Sequence, residues 1–378
     1  MSIYQPWFKP TEYAERTDKV RSLLASKNCV AFVSFMPETV TYLTGFFTRG
    51  YSSFQFAVIP LHNDPVMFCR DVEEFYLDAT CIWKNRVLWN DSDDQIALAA
   101  KTIRNVVGAK ASVAIDLHAW PLSYGQFSAL KALLPDITWV DISAETSAQR
   151  FIKSPAEIEY MRQASIAAEA GMKAGIQALG VGVTERELAA EICSAMIKSG
   201  SDLPGPGVLS SGVRALHLHG GYSDRVLKAG DTVQLETTPN VKHYHSRFMR
   251  PMKVQHGTDE EYRIVEELID IQDSALSTVK AGVLATVPDS IYREEALSRG
   301  LKEVYSNKTF YSVGLLLQPR GGEPLEAEPS ATWRFEAGMT FHSYILANGF
   351  GMSETILVTE TGYERLTNFP RKLFVSSL

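Results

Sequence analysis

Cysteine is scarce: Cys29, Cys69, Cys81 and Cys193 are the four in 378 residues, and no two stand at CxxC spacing. That pattern argues against a disulfide framework or a thiolate zinc site and suits reduced, buried thiols. Long apolar runs are missing too. No stretch of eighteen apolar residues occurs, so a membrane-spanning helix is not expected. The opening MSIYQPWFKPTEYAERTDKV lacks the basic-then-apolar order of a secretory signal, and a cytoplasmic protein is expected. Blocks of lysine and arginine are absent and the formal net charge is -7. Neither nucleic acid nor an acidic membrane surface is therefore expected as a partner. Internal repeats and low-complexity tracts do not occur.

What is present is the composition of a globular protein, 45% apolar and 21% charged, at a length that favours two domains. The pattern changes near residue 150. Before it, short apolar runs (CVAFVSF from Cys29, FQFAVIP from Phe54, PVMFC from Pro65, ASVAID from Ala111, ITWVDIS from Ile137) alternate with helical periodicity over 13–27, 94–107 and 125–134. That alternation predicts an α/β domain over 1–150. Beyond it, SPAE at Ser154, TERE at Thr184 and TDEE at Thr258 each place a hydroxyl three residues ahead of a glutamate. This is the capping-box signature, and three long helices are predicted, with Gly180, Gly200 and Gly282 placed to stop them. Strand-like DTVQLETTP, KHYHSRFMRPMKV, GMTFHSYIL and SETILVTETG lie between and after them, which makes 151–378 an α+β layout. The linker AETSAQRFIK is short and poor in glycine and serine, so the two domains are expected to pack together.

One segment concentrates polar chemistry. ETTPNVKHYHSRFMR, residues 236–250, holds a carboxylate, two histidines, a tyrosine and two arginines. A turn at PN followed by period-two alternation predicts His243, His245 and Arg247 on one face of a return strand, with Tyr244 and Ser246 on the other. A solvated polar hairpin is the plain alternative. Ahead of it, His217 and His219 offer imidazoles that can move a proton near neutral pH, against a surface or capping role.

The order QRFIKSPAEIEYMRQAS, H...LKAGDTVQLE, YHSRFMR, GMTFH and ETILVTETG resembles the creatinase and Xaa-Pro peptidase family of pita-bread enzymes over essentially the whole chain. SPAEIEYMR, GMTFH and ETILVTETGYERLTNFPRKLF are most similar to the ectoine hydrolase branch. The resemblance implies α+β architecture in two domains, a creatinase-type α/β domain over 1–150 and a pita-bread domain over 151–378. Metallopeptidases of this family hold two metal ions with two aspartates, a histidine and two glutamates. The matching positions here carry Glu236, Arg247, Tyr311, Tyr344 and Ser353, or Glu354 if the match slips by one. A guanidinium has no lone pair to donate, and hard divalent ions need several anionic oxygens, so no metal and no cofactor is expected.

Creatinase and ectoine hydrolase cleave C–N bonds without metal. The resemblance to them implies His219 as proton carrier, with His217 in its place if the match shifts by one small gap. It implies Glu236 and Glu354 as clamps for a planar amidinium or guanidinium; for these carboxylates the plain alternative is a buried ion pair with Arg247 or Arg250. Tyr244, His245, Arg247, Tyr311 and Tyr344 would line the pocket. Gln318 stands where relatives keep a second histidine. Arg49 and Tyr51 lie near the positions that hold a substrate carboxylate in creatinase, and Arg320 in QPRGGE is an equal candidate for that anchor. The resemblance also implies a homodimer in which aromatics from Phe46 to Phe56 cover the neighbour's pocket, although Phe54 and Phe56 alternate as core residues would. The expected function is metal-independent hydrolysis of a linear or cyclic amidine-type C–N bond in a small zwitterionic compound. A divergent Xaa-Pro dipeptidase-like metallohydrolase and a catalytically silent small-ligand-binding homologue are the alternatives.

Overall fold

The computed structural model describes residues 5–317 and 321–377. The chain divides between Gln149 and Arg150 into two compact units. Among the described residues, the first unit is built on a six-stranded sheet of β1 (Ala31–Ser34), β2 (Phe56–Pro60), β3 (Val66–Arg70), β4 (Asn85–Trp89), β5 (Ser112–Ile115) and β6 (Thr138–Asp141), ordered β4-β3-β2-β1-β5-β6. Its helices are α1 (Pro10–Ser26), α2 (Pro37–Thr44), α3 (Glu74–Thr80), α4 (Gln95–Val107), α5 (Tyr124–Leu133) and α6 (Ser143–Ala148). Five strands and three helices fall on the predicted segments. β4 is the strand the apolar pattern does not reveal, because NRVLW is an edge strand that is only partly buried. Helix α2 is buried along its whole length and so has no amphipathic period to read. Phe54 and Phe56 are core residues of this unit: the Phe56 and Phe68 rings stack with centroids 4.4 Å apart, and Phe35 packs on both Phe54 and Phe56.

The second unit opens with α7 (Pro155–Ala178) and α8 (Glu185–Lys198), and continues through β7 (Pro206–Ser211), β8 (Thr232–Thr237), β9 (Asn240–Val241), β10 (Tyr244–His245) and β11 (Phe248–Lys253). Helices α9 (Asp259–Ser277) and α10 (Thr286–Ser298) follow, then β12 (Phe310–Ser312), β13 (Glu326–Ala327), β14 (Thr340–Ala347), β15 (Phe350–Val358), β16 (Tyr363–Arg365) and β17 (Phe374–Val375). The predicted capping boxes are present at Ser154–Glu157, Thr184–Glu187 and Thr258–Glu261, each with both reciprocal bonds. The fourth helix, α10, starts at Ala285 without a side-chain cap, which is why its start carries no signature in the sequence. Leu188, Ile192, Leu209, Val233, Leu235 and Phe248 form one core where α7 and α8 cover the sheet β17-β11-β8-β7. A second core, with Leu268, Tyr292, Phe310, Phe341 and Ile356, joins α9 and α10 to the sheet β13-β12-β14-β15-β16. Among the described residues no helix is long and apolar enough to cross a membrane.

Candidate active site

On β8, Val233 and Leu235 turn toward the helices, and strand alternation directs Gln234 and Glu236 to the opposite face. A Cβ on Gly207 of β7 would lie 2.6 Å from Glu236 Oε2, so only glycine leaves the carboxylate its place. Arg247, just ahead of β11, donates from Nε and Nη2 to the two Glu236 oxygens at 2.9 and 2.8 Å, a bidentate pair that is nearly buried. Its Nη1 donates to the Gly321 carbonyl, and its guanidinium carbon lies 5.4 Å from the Tyr311 ring centroid. Thr355 fixes the backbone there: its hydroxyl accepts from Arg247 N–H at 2.9 Å and donates to Arg247 C=O at 2.8 Å. Burial pushes the Glu236 carboxyl up, but interactions led by the Arg247 guanidinium more than offset this and hold it below the usual carboxylate range.

The other wall comes from β12 and β14. Tyr311 pairs with His342 in register, and Tyr344 pairs with Ser353 of β15. His342 is 1% exposed and lies between two tyrosines, with centroids 4.9 Å from Tyr311 and 5.3 Å from Tyr344, the latter ring nearly parallel. Its Nε2 is 3.6 Å from Glu236 Oε1, beyond hydrogen-bond range, and neither ring nitrogen has a hydrogen-bond partner. Burial pulls its pKa down to about 3, opposed by Glu236 and reinforced by Arg247. Burial likewise keeps the Tyr311 and Tyr344 phenols protonated. His342 is missing from the residues read as functional in the sequence; the available signal is its period-two spacing from Tyr344 in GMTFHSY.

The structure thus brings Glu236, Arg247, Tyr311 and Tyr344 together and assigns other surroundings to several predicted partners. Cross-strand partners share a face, so Ser353 stands beside Tyr344 while Glu354 points the other way. Glu354 is fully buried, accepting from Arg250 Nη2 at 2.7 Å and from the Thr367 hydroxyl. It is therefore one half of a structural ion pair rather than a clamp beside Glu236. Tyr244 also leaves the predicted pocket, because its hydroxyl donates to Glu157 at 2.7 Å and its ring stacks on Tyr160 of α7. The expected return strand is broken. Lys242 and His243, at φ 51° and 59°, form a two-residue hairpin turn between β9 and β10, so His243 is a turn residue and not a strand residue. His245 remains nearby, with Nε2 3.2 Å from the Leu316 carbonyl oxygen, and burial lowers its pKa to about 4 despite that bond.

His217 and His219 lie on the loop between β7 and β8, both exposed. Glu185 of α8 holds both ends of this loop, accepting from Ser211 Oγ at 2.6 Å, Arg214 Nη1 at 2.7 Å and Ser223 N–H at 2.8 Å. With its amide oriented to suit neighbouring carbonyls, Gln234 donates to the His217 and Ala215 carbonyls at 3.3 and 3.1 Å, which ties the loop to the β8 face that carries Glu236. The described contacts do not bring either imidazole onto the Glu236 carboxylate. Arg49 and Tyr51 belong to the first unit, where Tyr51 packs against Phe47 and Trp120. Gln318 and Arg320 fall outside the described residues.

The positions that the resemblance matches to the peptidases' metal ligands carry Glu236, Arg247, Tyr311 and Tyr344, and of the two candidates for the fifth it is Ser353 that pairs with Tyr344. This is one carboxylate already bound to a guanidinium, two protonated phenols, and a hydroxyl that accepts from Met249 N–H at 2.7 Å. The donor set does not fit a pair of divalent ions. Among the described residues no group of three histidine, cysteine, aspartate or glutamate side chains is placed to hold an ion.

Comparison with known proteins agrees with this architecture. Residues 16–152 match the creatinase/prolidase N-terminal domain and residues 159–360 match metallopeptidase family M24. The ectoine hydrolase of Halomonas elongata is 26% identical over 97% of this chain and 98% of its own. The Xaa-Pro dipeptidase of Pyrococcus horikoshii is 29% identical over 59% of this chain and 64% of its own. The prolidase structure from Thermococcus sibiricus superposes with a TM-score of 0.86 over 96% of this chain and 99% of that chain, at 24% identity. The chain belongs to metallopeptidase family M24 and carries the creatinase/prolidase N-terminal domain ahead of its pita-bread unit.

Proposed function

We propose that this hydrolase cleaves an amidine-type C–N bond in a small zwitterionic compound, and does so without a metal ion. The observation that carries the reading is the Glu236–Arg247 pair at positions where the family's peptidases bind metal. A fixed anion beside a fixed cation complements a zwitterion. Three of the five Arg247 N–H donors serve Glu236 and the Gly321 carbonyl, which leaves two to hold a substrate carboxylate. Glu236 keeps lone pairs beyond those Arg247 takes, and these receive the N–H groups of an amidinium or guanidinium. The Tyr311 and Tyr344 rings flank the planar group. An imidazole of the β7–β8 loop, His219 or His217, takes a proton from the water that adds to the amidine carbon and returns it to the departing nitrogen. A homodimer is part of the same reading and is tested by light scattering.

Similarity to the ectoine hydrolase over nearly the full chain supports this substrate class. Similarity to an Xaa-Pro dipeptidase favours a second reading, a metallodipeptidase. Turnover of ectoine, creatine and X-Pro dipeptides, with and without chelator, separates the two. Amidine hydrolysis that survives chelation and disappears in His219→Ala or His217→Ala is expected. Dipeptide cleavage that chelator abolishes would replace this reading with the second one, and no turnover at all would favour a silent ligand-binding homologue.

A further inference from the structure

We infer that His342 is a substrate-contacting residue, whose two ring nitrogens are completed by the polar groups of the bound small molecule. The inference rests on the reading above and adds the group that orients the substrate. A buried polar atom without a partner destabilises the fold, and this ring has two. The nearby groups do not supply what is missing. Tyr344 lies at 7° to the imidazole plane and offers it a ring face. Thr355, the cross-strand partner, commits its hydroxyl to the Arg247 backbone, and Ser353 accepts from Met249 N–H. Glu236 Oε1, 3.6 Å from Nε2, is too far to bond the ring directly but close enough for one ligand atom to reach both.

A neutral imidazole carries one N–H and one lone pair, and the carboxylate beside Nε2 favours the proton there. Nδ1 is then the acceptor. An amidine or guanidine N–H suits it, while Nε2–H and Glu236 together face the adjoining polar atom of the ligand. The fold thus accepts two unsatisfied nitrogens in the ligand-free state in return for a directional contact in the complex.

His342→Phe tests this, because it keeps a flat ring and removes both nitrogens. In the ligand-free protein its Tm should equal or exceed that of the wild type, since the replacement ends the unsatisfied burial. With ectoine as probe, kcat/KM and the ectoine-induced thermal shift should each fall at least tenfold. His342→Gln, which restores a donor and an acceptor, should recover part of that loss, mainly through KM. A Tm drop of more than about 5 °C in the ligand-free Phe variant would overturn the inference, because the nitrogens would then be holding the fold, for example through a structural water. So would unchanged kcat/KM in the Phe variant, or Gln performing worse than Phe. If the wild type neither binds nor cleaves ectoine or creatine, the proposed function fails, while the ligand-free melting comparison still decides the role of His342.

Discussion

Two buried arginine–glutamate pairs stand three residues apart at the start of β11, and they are built to different ends. Arg250 and Glu354 are both 0% exposed. All five Arg250 N–H donors are used: Nε to the Pro370 carbonyl, Nη1 to the Met249 and Ser353 carbonyls, Nη2 to the Phe369 carbonyl and Glu354. That pair ties the C-terminal segment to the sheet. Arg247 and Glu236 are 14% and 3% exposed, use three guanidinium donors, and face a histidine with no hydrogen bond. An ion pair by itself therefore marks nothing. The incomplete hydrogen bonding around the Arg247–Glu236 pair distinguishes a candidate site from a staple.

The comparison can be broken by removing each pair in turn. Arg250→Met should have the largest effect, about 4 kcal/mol or more in urea unfolding, because it leaves Glu354 and four carbonyls without their donor. Arg247→Met should cost about 3 kcal/mol by isolating the Glu236 carboxylate. The double replacements sharpen the contrast. Arg247→Met with Glu236→Leu should regain most of the lost stability and have no turnover. Arg250→Met with Glu354→Leu should stay unstable, because the Met249, Ser353, Phe369 and Pro370 carbonyls still lack their guanidinium donors. Equal recovery in both doubles would mean that the two pairs do the same job. Ser154→Ala, outside both pairs, should cost about 1 kcal/mol through the α7 capping box and leave kcat unchanged.

The smallest expected effect is on pH dependence. The folded pKa values of His245 and His342 lie at about 4 and about 3, below the ordinary 6.5. The unfolded chain therefore binds protons that the native state refuses. The stability these rings contribute is complete above pH 6.5 and is lost as the pH falls through the folded values. The slope of unfolding free energy between pH 7 and 5 should drop by up to one proton in His342→Phe; an unchanged slope would mean that the imidazole titrates in the native state as it does in the unfolded chain.

Much of the fold was legible because it rests on local chemistry. The three capping boxes name the starts of α7, α8 and α9, and apolar runs mark five strands of the first unit. The resemblance to the family also singled out Glu236, Arg247, Tyr311 and Tyr344, whose side chains the fold brings together. What was not legible depends on register and turn geometry. Whether Ser353 or Glu354 faces the site is decided by the pairing of β14 with β15, a non-local choice in which one residue of slip exchanges the faces. The Lys242–His243 turn lacks the glycine or asparagine that usually announces a two-residue hairpin, so the turn was placed at PN and KHYH read as continuous strand. His342 looked like one more strand residue: its period-two spacing from Tyr344 was there to read, but its unsatisfied nitrogens emerge in the fold alone.

The central claim is that a guanidinium occupies the place of a metal ligand and the site works without an ion. Metal analysis of the wild-type protein, after incubation with manganese, cobalt and zinc and then dialysis, tests it most directly. Well below one equivalent of any of the three is expected, whereas one or two tightly held equivalents per chain would contradict the account.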